Sequence, residues 1–286
     1  MKLRSIPAKI SFWPFRQLAP VVGVVRLGGI IGGIGPVRRG LTLAGIAGAL
    51  ERAFSLGGVE AVALAINSPG GSPVQAALIH RRIRALAAEK DVKVFAFAED
   101  VAASGGYWLA LAADEIYAEE SSIVGSIGVI STGFGFAQAV ERLGIERRVH
   151  ATGPKKAMLD PFRPEDPDDV ARLKEIQGDI HESFMRIVRE RRGDRLGRDD
   201  DELFSGAFWT GGRAHELGLI DGIGDLRSVL RARYGDRVKL KLVGDDRRWW
   251  WRRLGRSGGT PGSPVEWADG VLWALEARGL WSRYGL

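Results

Sequence analysis

The chain contains no cysteine. It therefore has no disulfide, no thiolate–zinc site and no cysteine nucleophile. Histidine is scarce: there are four, His80, His150, His181 and His215, and their spacing suggests no metal site. No phosphate-binding loop motif occurs, and no cofactor is expected. No run reaches the roughly 20 apolar residues of a membrane span. Residues 20–35 are apolar, but they are glycine-rich and broken by Arg26. The first residues are cationic but lead into no clean apolar run with a small-residue cleavage site, so no signal peptide is expected.

What is abundant is positive charge, and its placement is uneven. The formal net charge is +6. Residues 1–20 carry Lys2, Arg4, Lys9 and Arg16 and no acid, and residues 247–256 carry Arg247, Arg248, Arg252, Arg253 and Arg256. Such a balance admits nucleic acid or an anionic membrane surface as partner. Trp249, Trp250 and Trp251 sit between arginine pairs, and Trp267, Trp273 and Trp281 follow. Tryptophan beside arginine suits the water–lipid interface. A packing tail or an oligomer contact explains the same residues equally well. Peripheral membrane contact is the expectation, and no nucleic-acid partner is.

Three segments divide the 286 residues. They are a basic arm over 1–19, a main domain over 20–243, and an Arg/Trp-rich linker with a closing amphipathic segment over 244–286. Within the domain, 21–27, 60–66 and 92–98 are apolar, β-rich runs of the kind found in buried parallel strands. Helical spacing predicts helices over 42–56, 74–89, 135–143 and 167–193, with a short one ending near Ala113. Further strands are expected at 114–118, 127–131 and 145–151. This strand–turn–helix order implies an α/β fold with a largely parallel sheet flanked by helices. His80 and His181 fall within predicted helices and are expected at the surface. The acidic clusters at 165–169 and 199–202 suit helix starts.

Three loops could carry chemistry. In Asn67-Ser68-Pro69-Gly70-Gly71, adjacent glycines let the backbone approach a ligand and present N–H groups to an oxyanion. The same residues also mark ordinary turns. In Ala102–Trp108, Ser104 sits on a sharp strand-to-helix turn with room left by Gly105 and Gly106. That is the mechanical logic of a nucleophile elbow, although a helix cap is the commoner use of such a serine. In Gly153-Pro154-Lys155-Lys156, a lysine could act as base only if neutral, and one isolated in a loop stays charged. His150, placed near the same loop, leaves a Ser–His pairing open.

In order along the chain come Asn67–Gly71, then Ala103-Ser104-Gly105-Gly106-Tyr107, then Val124-Gly125-Ser126-Ile127-Gly128-Val129. Gly153-x-x-Lys156 with Pro161-Phe162-Arg163 follows, and last Gly206, Trp209-Thr210-Gly211, Ala214, Gly218-Leu219 and Asp221. Each motif alone is common, but the ordered set over roughly 20–235 resembles the signal peptide peptidase A family of Ser–Lys peptidases of bacteria and archaea.

The resemblance implies a crotonase/Clp-peptidase-like fold and a serine endopeptidase. Ser104 would be the nucleophile and Lys156 the general base, with Lys155 next in line for that role. Gly71 would supply an oxyanion N–H, and Ser126 would hold the lysine amine. Implied partners are an apolar extended peptide, such as a cleaved signal peptide or membrane-protein fragment, and further copies of the chain in a ring, with serine and lysine meeting between neighbours. The implied location is bacterial, in the cytoplasm or peripheral at the inner membrane. A crotonase-type acyl-CoA enzyme would share the fold but needs carboxylates at the reacting carbon. A non-catalytic membrane-associated scaffold would keep the fold and the basic ends without chemistry.

Overall fold

The computed structural model describes residues 19–32, 40–153, 155–197, 200–244 and 278–285. The basic arm and most of the Arg/Trp-rich segment, including nearly all of its expected amphipathic helix, lie outside the described residues. The elements run β1 (Val21–Gly28), α1 (Leu43–Phe54), β2 (Val59–Ser68), α2 (Pro73–Lys90), β3 (Lys93–Ala103), α3 (Gly105–Ala110), β4 (Glu115–Ala118) and β5 (Ile123–Gly125). They continue with α4 (Ala137–Arg142), α5 (Pro167–Arg192), α6 (Asp200–Leu203), β6 (Phe208–Thr210), α7 (Gly211–Glu216), β7 (Gly222–Ile223), α8 (Leu226–Tyr234) and β8 (Lys239–Leu242).

The strands form one sheet in the order β6-β5-β3-β2-β1-β8, with β4 against β3 and β7 against β4. Every pairing is parallel except β5 with β6. The fold is thus α/β with a largely parallel sheet. Polar residues fix the helix starts. Thr42 accepts from the Gly45 N–H, Ser72 from Gln75, and Asp225 from Arg227 and Ser228, each satisfying an amide the helix leaves unpaired.

The apolar runs are buried because both sheet faces are covered. On β2, Val62, Leu64 and Ile66 enter the large core beneath α1, α2 and α3. The alternate Ala61 and Ala63 join Val22, Val24, Phe95, Phe97 and Leu230 on the opposite face, under α8. Alternation along a strand sorts side chains to the two faces.

β3 changes partner along its length. Phe95–Ala98 pair with β4, and Val101–Ala103 pair with β5. Buried Ser122 fills the fork, its hydroxyl donating to the Glu99 carbonyl at 2.6 Å and accepting from the Glu119 N–H at 3.1 Å. The crevice beyond this split, at the carboxyl ends of the strands, is where parallel sheets place sites.

Four expectations are corrected. The strand expected at 127–131 lies earlier, at Ile123–Gly125, because Gly125 (φ 105°) and Ser126 (φ 54°) end it. Residues 145–151 form no strand. Ile145 and Val149 are exposed, and among the described residues no strand lies alongside to pair with them. His80 is buried, on the side of α2 that meets the core. Its pKa is lowered to about 4, by burial first and by Arg191 next. His181, also expected at the surface, is half-buried, with Nε2 3.1 Å from the Ile127 carbonyl.

Candidate active site

Ser104 occupies the turn between β3 and α3 with φ 52° and ψ −123°. A non-glycine residue there stores strain, which persists only where the surroundings enforce it. Here they do. The Ser104 N–H donates to the Gly125 carbonyl at 2.7 Å, and its carbonyl accepts from Trp108 at 3.0 Å. The side chain makes no capping hydrogen bond, so the helix-cap reading fails. The residue is only half-buried, which leaves it reachable. Its helix is anchored from behind. Tyr107, fully buried, donates to the Leu219 carbonyl at 2.7 Å, and Trp108 stacks on Phe184 with centroids 4.7 Å apart.

The Asn67–Gly71 loop packs directly against this turn. Gly70 has φ 105°, and a β-carbon there would lie 2.8 Å from Ser104 Cβ. Gly71 has φ 136°, and a β-carbon there would strike the Ile31 carbonyl at 2.2 Å. The loop is tied by Ile31, which donates to the Gly70 carbonyl and accepts from Ser72, both at 2.8 Å. Buried Ser68 donates to the Gly29 carbonyl at 2.7 Å and accepts from the Gly70 N–H at 3.2 Å. Among the described residues, no acceptor meets the Gly71 N–H. Gly70, the residue that touches Ser104, was not singled out from the sequence, although the Gly-Gly pair was its signal.

Ser126 lies on the other side of the serine turn. It is 6% exposed, and its N–H donates to the Ala207 carbonyl at 2.7 Å. Ser104, Gly71 and Ser126 are therefore brought together by three loops at one end of the sheet.

Lys156 is not brought there within the chain. It is exposed in a turn after Gly153, whose carbonyl accepts from its N–H at 3.2 Å. No described residue from 128 to 168 is buried. This long arm holds α4 and an exposed group of Phe134, Phe136 and Phe162, with Phe134 82% exposed. Arg147 stacks over Phe162 and pairs with Asp160. Lys155 pairs with Asp169 at 3.1 Å, which holds its ammonium above the ordinary value. Burial alone would raise the Asp169 carboxyl, but the Leu159 N–H and Lys155 outweigh it and hold the group below the usual range. Lys156 has no ion-pair partner among the described residues. His150 is exposed on the same arm and has no hydrogen bond to Ser104.

Among the described residues, no group of acids and histidines could hold a metal, and no helix is long and apolar enough to cross a membrane.

A strained, uncapped serine between a glycine loop and a buried hydroxyl is the furniture of an acyl-transfer enzyme. The chain belongs to peptidase family S49, whose sequence model matches residues 86–239, and it is a serine peptidase by that membership. The Asn67–Gly71 loop precedes the matched stretch. A Brucella abortus protein described as a Na(+)/H(+) antiporter NhaA is 53% identical over 279 residues, covering 95% of this chain and 38% of that protein. The chain thus spans well under half the length of that relative. A putative protease of Synechocystis is 31% identical over 191 residues, covering 65% of this chain and 68% of that protein. A chloroplastic serine protease SPPA of Arabidopsis thaliana is 33% identical over 175 residues, covering 60% of this chain and 25% of that protein. A solved membrane-bound stomatin-specific protease, 15% identical, superposes with a TM-score of 0.49 over 80% of this chain and 99% of its own. The resemblance carried by the five ordered motifs holds.

Proposed function

We propose that this serine peptidase is a Ser–Lys endopeptidase for extended apolar peptides, with its site shared between neighbouring copies. The observation that carries the reading is the conformation of Ser104: strained, uncapped and reachable, between Gly70–Gly71 and Ser126. Neutral Lys156 from an adjacent protomer takes the Ser104 proton as Oγ attacks the peptide carbonyl. The Gly71 N–H, which has no other acceptor among the described residues, stabilises the oxyanion. The lysine ammonium then protonates the leaving amine, and water attacks the acyl-enzyme and releases the second product. Ser126 Oγ holds the lysine amine toward Ser104.

Assembly of several copies accounts for the arm. Residues 128–168 expose Ile130, Phe134, Leu143 and Ile145, side chains that contact with a neighbouring copy would cover. A membrane-surface location for the peptidase is supported by the Arg/Trp-rich sequence at 247–256 and by the antiporter description of the Brucella relative. Fragments of membrane proteins and spent signal peptides would be the substrates met there.

The test uses two variants. Ser104→Ala and Lys156→Ala are each inactive on an apolar fluorogenic peptide, and a fluorophosphonate labels Ser104 of the native chain. Mixed one to one and reassembled, the two inactive variants recover about a quarter of native activity, the share of joints pairing an intact serine with an intact neighbouring lysine. Hydrolysis surviving in Ser104→Ala would refute the site. Full inactivity of the mixture would place both residues in one chain's site.

A further inference from the structure

Residues 278–285 lie against the serine turn. Residues 278–282 form a helical turn, and Trp281 and Tyr284, three residues apart, pack on Val101, Ala103 and Ile123. These belong to β3 and β5, the two strands that lead into Ser104 and Ser126. The Tyr284 ring meets Phe208 edge-on at 5.0 Å, and the residue is 9% exposed. Its hydroxyl lies 3.4 Å from Ser126 Oγ and 3.5 Å from the Pro69 carbonyl. Tyr284 therefore reaches across from one loop flanking Ser104 to the other.

We infer that this cleft is a subsite for an aromatic side chain of the peptide substrate, and that residues 278–285 are its resident occupant and an intramolecular competitor. The inference rests on the reading of Ser126 given above, because the Tyr284 hydroxyl takes the approach to Ser126 Oγ that the Lys156 amine needs. The walls are small and apolar, with one ring edge from Phe208. The polar features are one hydroxyl and one carbonyl, a combination that suits tyrosine. Both polar contacts sit near the outer limit for a hydrogen bond. Ring burial does most of the holding, so a substrate can displace the segment.

The experiment uses the full chain and follows hydrolysis of an apolar peptide carrying tyrosine, together with the rate of fluorophosphonate labelling. Replacing both Trp281→Ala and Tyr284→Ala lowers KM about tenfold with kcat unchanged, as expected if the site is free about one time in ten. A synthetic nonapeptide of residues 278–286 then inhibits the double variant competitively, and the same peptide with alanine for its tyrosine does not. An unchanged KM, or a nonapeptide that fails to inhibit, overturns the inference. If the double variant loses labelling, Tyr284→Phe decides. It keeps the ring and removes only the hydroxyl, and KM falls about twofold; an unchanged KM overturns the proposal. Hydrolysis persisting in Ser104→Ala would instead remove the site itself, so the two failures are told apart.

Discussion

Lys155 donates to Asp169 at 3.1 Å, and this pair sorts two adjacent lysines that sequence spacing alone separates poorly. An ammonium stabilised by a carboxylate is a poor base, since the pairing raises the cost of losing its proton. Lys155→Ala should therefore leave kcat within about fivefold of native, the range of a surface ion pair. Lys156→Ala should lose at least a hundredfold, the lower end of the usual contribution of general-base catalysis. Steady-state rates on one apolar peptide decide it, and the reverse ranking would move the base to Lys155.

Gly70→Ala should disable the site without unfolding the body. Its φ of 105° and the 2.8 Å approach to Ser104 Cβ leave no space for a methyl group. Strain of this kind costs about 1–3 kcal/mol, and it falls on the serine turn. Fluorophosphonate labelling of Ser104 should slow more than tenfold, while the urea midpoint shifts modestly. Labelling at the native rate would show that the turn yields elsewhere.

His80 makes stability depend on pH between its ordinary 6.5 and its folded value of about 4. In that window the unfolded chain binds a proton that the folded chain refuses. The stabilisation is fully present above pH 6.5 and is lost as pH falls toward 4. The shift corresponds to at most about 3 kcal/mol. Urea unfolding at pH 7 and pH 5 should show the loss, and His80→Leu should flatten it.

Tyr107→Phe should destabilise by about 1–3 kcal/mol, because it leaves the buried Leu219 carbonyl without its 2.7 Å donor. Thermal unfolding measures this. Since the phenol anchors α3 from behind, the labelling rate of Ser104 should change far less than in Gly70→Ala.

The central strands were legible because Val62–Ile66 and Val94–Ala98 are continuous apolar runs, and only a sheet covered on both faces buries such runs. The caps at Ser72 and Asp225 went unread, and the helix that Asp225 starts was not expected, although serine and aspartate are both preferred at helix starts. The arm misled because Ile145 and Val149 alternate as a strand would, yet among the described residues no strand pairs with them. His80 misled because a polar residue among arginines suggests an exposed face, while the helix turns it inward. Ser104, Gly71 and Ser126 were singled out through an ordered motif set, and no local rule distinguished them from caps and turns. Tyr284 was missed entirely. Its role depends on a return to β3 and β5 from far along the chain, and no spacing rule encodes that.

The fork in β3 has a mechanical consequence. The strand is indexed against β2 along one edge and against both β4 and β5 along the other. A slip by one residue would reverse its faces, and a slip by two would have to break three ladders together. The strand works like a ratchet pawl caught in three racks. The serine at its end keeps its height above the sheet even when the loops around it are pushed by a passing peptide.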